Sequence, residues 1–204
     1  MALSIVKIVI PIYFDYASTL CYVAWRIVQE LRQELDFEPF WKGVPIGWRS
    51  HASRPGSTLG PVERAKIAMV IAETGVQVSP PDHWINSEAA LMGSELARDT
   101  GVFDHFHDAV FRSGFEQRLD ISDPDLLTEL AISSGIDGET FRHALRMRLA
   151  APQLVANKNE ADQFSAVGYP TFMLGEFPLI GIQPIETMRL LLSRFLSQQR
   201  AAAQ

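Results

Sequence analysis

Ser18 and Cys21 are the residues of this chain whose types and spacing point most directly to chemistry. They lie three positions apart, where a nearly all-apolar extended run, Ile5 to Phe14, gives way to apolar residues at Leu20, Val23, Ala24, Ile27, Val28 and Leu31. That second spacing is one face of a helix. A helix begun there leaves its first backbone N–H groups free and carries about half a positive charge at that end, which favours an anion such as a thiolate. The Ser18 hydroxyl can simply cap the helix, or it can donate to a bound thiolate and, with the free amides, lower that thiol's pKa. Cys21 is either a small buried hydrophobe or a lone thiol able to form a mixed disulfide with a small thiol or a partner. It is the only cysteine in 204 residues, so an intramolecular disulfide is excluded.

Other candidates surround or follow this pair. Asp15 and Tyr16 flank the turn; Asp15 can accept a proton or orient water, against the plainer reading of a solvated turn residue. Asn86 and Arg112 can face a cleft, or serve as a helix cap and a surface ion pair. His105 and His107 make an H-x-H whose side chains point about 200° apart on a helix, so no metal site is expected. Trp41, Trp48 and Trp84 can line an apolar pocket, with core packing as the default. There is no phosphate loop and no dinucleotide fingerprint.

The elements that must position these residues can be read in order. Ile5 to Phe14 is expected as a strand buried on both faces, and Phe37 to Trp41 as a short strand near a sheet edge because of Pro39. Residues 43 to 61, rich in Gly, Pro, Ser and Arg, read as a long loop. Helices are expected at Val62–Thr74, Ser87–Thr100, Phe103–Phe115, Pro124–Ser134, Gly138–Leu149 and Pro152–Phe164. Gly75, Gly101 and Gly135 suit left-handed ends, and Asp123-Pro124 suits a start. Strands return at Thr171–Leu174 and Phe177–Ile180 around the two-residue turn Gly175-Glu176. A last helix runs from Ile185 to about Leu196, and Ala201–Gln204 is expected as a frayed tail.

Composition narrows the partners. With 47% hydrophobic residues, a net charge of -6 and scattered Lys and Arg, the chain has no basic stripe for nucleic acid or an anionic membrane surface. No run reaches the about 18 apolar residues of a membrane span. The apolar start is interrupted by Pro11 and carries Asp15 with no small-residue cleavage site before Ser18, so it reads as a strand and not a signal peptide. A single cysteine fits a compartment without structural disulfides, and a cytoplasmic location is expected.

The order β-α-β, a helical block of roughly a hundred residues, then β-β-α resembles the DsbA-like thioredoxin superfamily, in particular its FrnE-like branch. The resemblance is carried by Phe14-Asp15-Tyr16, Cys21-Tyr22, Phe111-Arg112, Asp120-Ile121-Ser122-Asp123, Val167-Gly168-Tyr169-Pro170-Thr171-Phe172 and Gly181-Ile182-Gln183-Pro184. It implies an α/β thioredoxin-like fold with an all-helical insertion: residues 1–60 and 167–204 form the thioredoxin-like domain and 61–166 the insertion. It further implies a cis Tyr169-Pro170 bond, with the backbone of Tyr169 presented beside the active site to a peptide-like ligand and its side chain shaping the pocket.

Where that branch has two cysteines, this chain has Ser18 and Cys21. A serine at the first position is similar to kappa-class glutathione transferases and 2-hydroxychromene-2-carboxylate isomerases, which use it to bind the glutathione sulfur. Those enzymes also hold the γ-glutamyl amine with an acidic residue near the start of the last helix, and Gly181-Ile182-Gln183-Pro184 offers none. The resemblance therefore implies a thiol-dependent enzyme whose dithiol mechanism is lost. Glutathione or another low-molecular-weight thiol would be the cofactor, a small organic molecule the substrate, and a second copy of the chain the one protein partner left open. The site residues are then Ser18 and Cys21 as catalytic, with Asp15, Tyr16, Asn86, Tyr169 and Pro170 binding, and no metal. A monothiol oxidoreductase using Cys21, and a non-catalytic peptide-binding module, are the alternatives.

Overall fold

The computed structural model describes residues 7–46, 54–166 and 168–202. The start of the first apolar run, Trp48, Val167 and the last two residues of the expected tail lie outside them. In chain order the elements are β1 (Ile8–Phe14), α1 (Thr19–Glu34), β2 (Phe37–Gly43), α2 (Pro61–Thr74), α3 (Glu88–Asp99), α4 (Phe103–Phe115), α5 (Pro124–Ser133), α6 (Gly138–Arg146), α7 (Ala151–Gln163), β3 (Thr171–Leu174), β4 (Phe177–Ile180) and α8 (Ile185–Ala202).

The four strands form one sheet in the order β2-β1-β3-β4. β1 and β2 run parallel with Ile12 beside Trp41; β3 is antiparallel to β1, with Tyr13 beside Thr171, and β4 is antiparallel to β3. β2 is thus an edge strand, where a proline costs the sheet least. Pro11 sits in a central strand, yet β3 pairs with β1 only at Ile12 and Tyr13, so its missing N–H interrupts no bond on that side. This is the thioredoxin-like arrangement with helices α2 to α7 inserted between β2 and β3.

The helices follow local chemistry. Asp123 Oδ1 accepts the Asp125 N–H at 2.9 Å ahead of Pro124, and Gly75 closes α2 in the left-handed region at φ 70°. Gly175, at φ 68°, makes the tight β3–β4 turn. One apolar core joins the sheet to the insertion, with Phe14, Trp25 and Trp41 meeting Phe106, Phe111 and Phe141 in the same cluster. Each such side chain contributes about 1.5–3 kcal/mol on burial.

Three expectations change. β1 is buried on both faces only in its second half, because Val9 is 53% exposed. α6 stops at Arg146 and not Leu149, since the chain turns at Arg148 (φ 52°) to enter α7. α8 continues through the expected tail to Ala202: alanine is the strongest helix former, and Arg200 Nη2 donates to the Asp36 carbonyl at 3.2 Å.

Candidate active site at the start of helix α1

β1 delivers the turn Asp15–Ser18 to the end of the sheet, and Ser18 caps the helix that follows. Its backbone is extended (φ -97°, ψ 114°), and its Oγ accepts the Cys21 N–H at 3.3 Å. Its carbonyl accepts the N–H groups of Cys21 (3.0 Å) and Tyr22 (3.2 Å). The hydroxyl hydrogen is left for another acceptor, and the Tyr169 carbonyl lies at a long 3.5 Å. Among the described residues the N–H groups of Thr19 and Leu20 donate to nothing, and the Thr19 hydroxyl makes no hydrogen bond. The first turn of α1 carries no acidic residue to neutralise these donors.

The carboxyl-terminal part of the chain meets this turn from the other side. The Tyr169–Pro170 peptide is cis, and Tyr169 is 8% exposed. Gly181 donates its N–H to the Pro170 carbonyl at 2.7 Å, which ties the Gly181-Ile182-Gln183-Pro184 turn to the Ser18 side of the sheet. Ser18, Tyr169 and Pro170 therefore come together as one site.

Asp15 is not the solvated turn residue its position suggests. It is fully buried; Oδ1 accepts the Ala17 N–H at 2.8 Å and Oδ2 accepts the Ile46 N–H. Burial pushes its carboxyl up, opposed by the hydrogen bonds from Ala17, from the Ser87 hydroxyl and from Ile46. Asp15 thus clasps the turn to the chain leaving β2 and to the start of α3. Ser87, unremarkable in the sequence, is part of that clasp; a serine just before a helix signals a cap, and nothing local shows what its hydroxyl meets. The neighbouring Asn86 is exposed, and its Oδ1 accepts the Glu88 N–H at 3.3 Å, so it serves the start of α3.

Tyr16 corrects the expectation of a binding residue more sharply. It has no exposed surface, and its hydroxyl lies 2.7 Å from His107 Nδ1 in the core. His107 is enclosed by the rings of Phe14, Trp25, Trp41, Phe103 and Phe111 at centroid distances of 4.6 to 5.1 Å. Burial, and secondarily the Arg98 charge, hold it well below its usual pKa. His105 is exposed. Trp41 is fully buried in the core, and Trp84 pairs its backbone with Gly56 and Ser57. Arg112 donates to Glu116 Oε2 at 3.2 Å on the surface.

Cys21 is fully buried behind Ser18. Burial pushes its thiol up to about 12, with hydrogen bonding from Ser18 and the Asp15 backbone lowering it and the Asp15 charge raising it. At neutral pH it is a protonated thiol inside the core, which does not suit a redox nucleophile. Among the described residues no three His, Cys, Asp or Glu side chains are grouped to hold a metal ion, and no helix is long and apolar enough to cross a membrane.

This fold and site belong to a defined class. Residues 9–193 match the model of the DSBA-like thioredoxin domain, and the chain belongs to that family. It is 26% identical over 183 residues to the uncharacterized protein YwbO of Bacillus subtilis, covering 84% of this chain and 89% of that protein. Among solved structures it is similar to a 2-hydroxychromene-2-carboxylate isomerase, with TM-score 0.76 and 18% identity over 97% of this chain and all of that one. It is also similar to the cytosolic disulfide reductase DsbM of Pseudomonas aeruginosa, solved with GSH, with TM-score 0.69 and 15% identity over 93% of this chain and all of that one.

Proposed function

We propose that this protein is a thiol-dependent enzyme of the cytoplasm that binds glutathione or a similar small thiol at Ser18 and acts on a small organic substrate. The observation that carries the reading is the donor set at the start of α1. The Ser18 hydroxyl meets the Tyr169 carbonyl at a long 3.5 Å, and the amides of Thr19 and Leu20 beside it have no acceptor among the described residues. Three donors at a positive helix end suit a sulfur anion, and the Tyr169–Pro170 backbone beside them is the part of the site that would meet the peptide portion of the same ligand. When bound, the thiol supplies the nucleophilic sulfur that this chain's own buried cysteine does not.

The chain's residues then have separate tasks. Ser18 exchanges its long bond to Tyr169 for a charge-assisted one to the thiolate. Asp15 stays on the Ala17 and Ile46 amides and holds the turn in place. The similarity to an isomerase and to a reductase solved with GSH supports a small-thiol reading, and that reductase's cytosolic setting supports the location.

The test is the titration of bound glutathione, followed by thiolate ultraviolet absorbance. Ser18→Ala removes a charge-assisted hydrogen bond of about 1.5–3 kcal/mol, so the bound thiol's pKa should rise by about one to two units. Glutathione at a hundred times its dissociation constant should also stabilise the wild type by about 2.7 kcal/mol. No stabilisation and no thiolate signal in the wild type would overturn the proposal.

A further inference from the structure

A groove of about 550 Å³ begins one turn along α1 from Ser18. The stacked pair Tyr22 and Phe115, with ring centroids 5.4 Å apart, is buried beneath it, and the partly buried Val76, Val78 and Ile185 line it. Tyr22 donates its hydroxyl to Glu116 Oε1 at 2.9 Å and Arg112 Nε donates to the other oxygen, so this carboxylate is already satisfied. On one wall Arg26 lies 3.9 Å from Asp108, while the Glu30 carboxylate beside it has no partner among the described residues.

The other wall is the run 76–79, which belongs to no helix or sheet. Val76 and Val78 are partly buried against the core, and Gln77 between them is exposed, the two-residue alternation of a strand. Among the described residues the N–H groups of Gln77 and Val78 have no acceptor, and the carbonyls of residues 76 to 78 have no donor. Ser79, next along, already donates to the Phe115 carbonyl at 2.7 Å and so pins the run to the groove.

We propose that this groove holds an extended polypeptide segment, added beside the backbone of residues 76–78, with apolar side chains against Val76, Val78 and Ile185 and a basic side chain at Glu30. Unpaired backbone N–H and C=O groups are a template for another backbone, which supplies the complementary groups. Among the described residues lining the groove, Glu30 is the charge without a partner, and its negative sign selects a basic side chain on the incoming segment. The site is separate from the thiol site at Ser18 and does not depend on it.

The experiment is fluorescence polarisation with a labelled octapeptide of alternating valine and lysine, measured without added thiol. Its alternating valine–glutamate counterpart and a version of the lysine peptide N-methylated at alternate residues are the comparisons. The wild type should bind the lysine peptide and reject the glutamate one, and N-methylation, which removes main-chain donors but keeps every side chain, should weaken binding about tenfold. Glu30→Lys, an exposed change, should reverse the charge preference. No saturable binding to the wild type, or binding indifferent to both N-methylation and Glu30→Lys, would overturn the proposal.

Discussion

Native Cys21 should resist alkylation, and the expected rate can be worked from its surroundings. With its thiol pushed up to about 12, the thiolate fraction at pH 7.5 is about 3 × 10⁻⁵, against about 10% for a free cysteine with pKa about 8.5. That is a deficit of about 3,000-fold. A more basic thiolate is intrinsically more reactive: over about 3.5 pKa units, at a Brønsted slope of about 0.45, the gain is about 40-fold. The net rate with iodoacetamide is then about 80-fold below that of a free thiol, before the complete burial of the side chain slows it further. The assay is the labelling rate by mass spectrometry in buffer and in denaturing urea, where the full free-thiol rate should return. Stoichiometric labelling of the folded protein at the free-thiol rate would refute the burial argument and revive Cys21 as a monothiol nucleophile.

Two further outcomes follow from the packing. His107 is held neutral in the folded core, so below its unfolded pKa of about 6.5 the unfolded chain binds a proton that the folded one does not. Stability is therefore lost as pH falls through that window, by up to about 1.4 kcal/mol per pH unit. Asp15, whose pKa is raised, works in the opposite sense: the folded state keeps its proton above the unfolded pKa of about 3.9, so its contribution falls as pH rises through that lower window. Urea midpoints at pH 7, 6 and 5 for wild type and His107→Gln isolate the histidine, and equal slopes in the two proteins would count against its burial in the neutral form. Gly93→Ala places a Cβ 2.9 Å from the Cζ atoms of both Phe106 and Phe141. Overpacking of about 1–3 kcal/mol offsets or outweighs the about 1 kcal/mol that alanine gains in a helix, leaving a net loss of up to about 2 kcal/mol, so Tm should fall by up to about 8 °C. A rise in Tm by calorimetry would show that α3, α4 and α6 are less tightly packed than described.

What the sequence by itself determined is what depends on neighbours along the chain. The 3.6-residue pattern from Leu20 to Leu31, the Asp123-Pro124 start, the left-handed glycine after α2 and the Gly175-Glu176 turn are local signals, and each appears in the structure where its residues stand. Ser18 as the cap of α1 was legible for the same reason, because a cap is made within three residues. Only tertiary structure decided which way the flanking side chains turn. Asp15 looks solvated until Ile46 and Ser87, far along the chain, close over its carboxylate. Tyr16 faces the core because α4 brings His107 to its hydroxyl. Cys21 is a protonated core thiol because the folded chain leaves it no exposed surface, although it stands in the first turn of α1. A thiol's reactivity and a carboxylate's charge are set by what excludes water from them, and those groups come from elements far apart in the sequence.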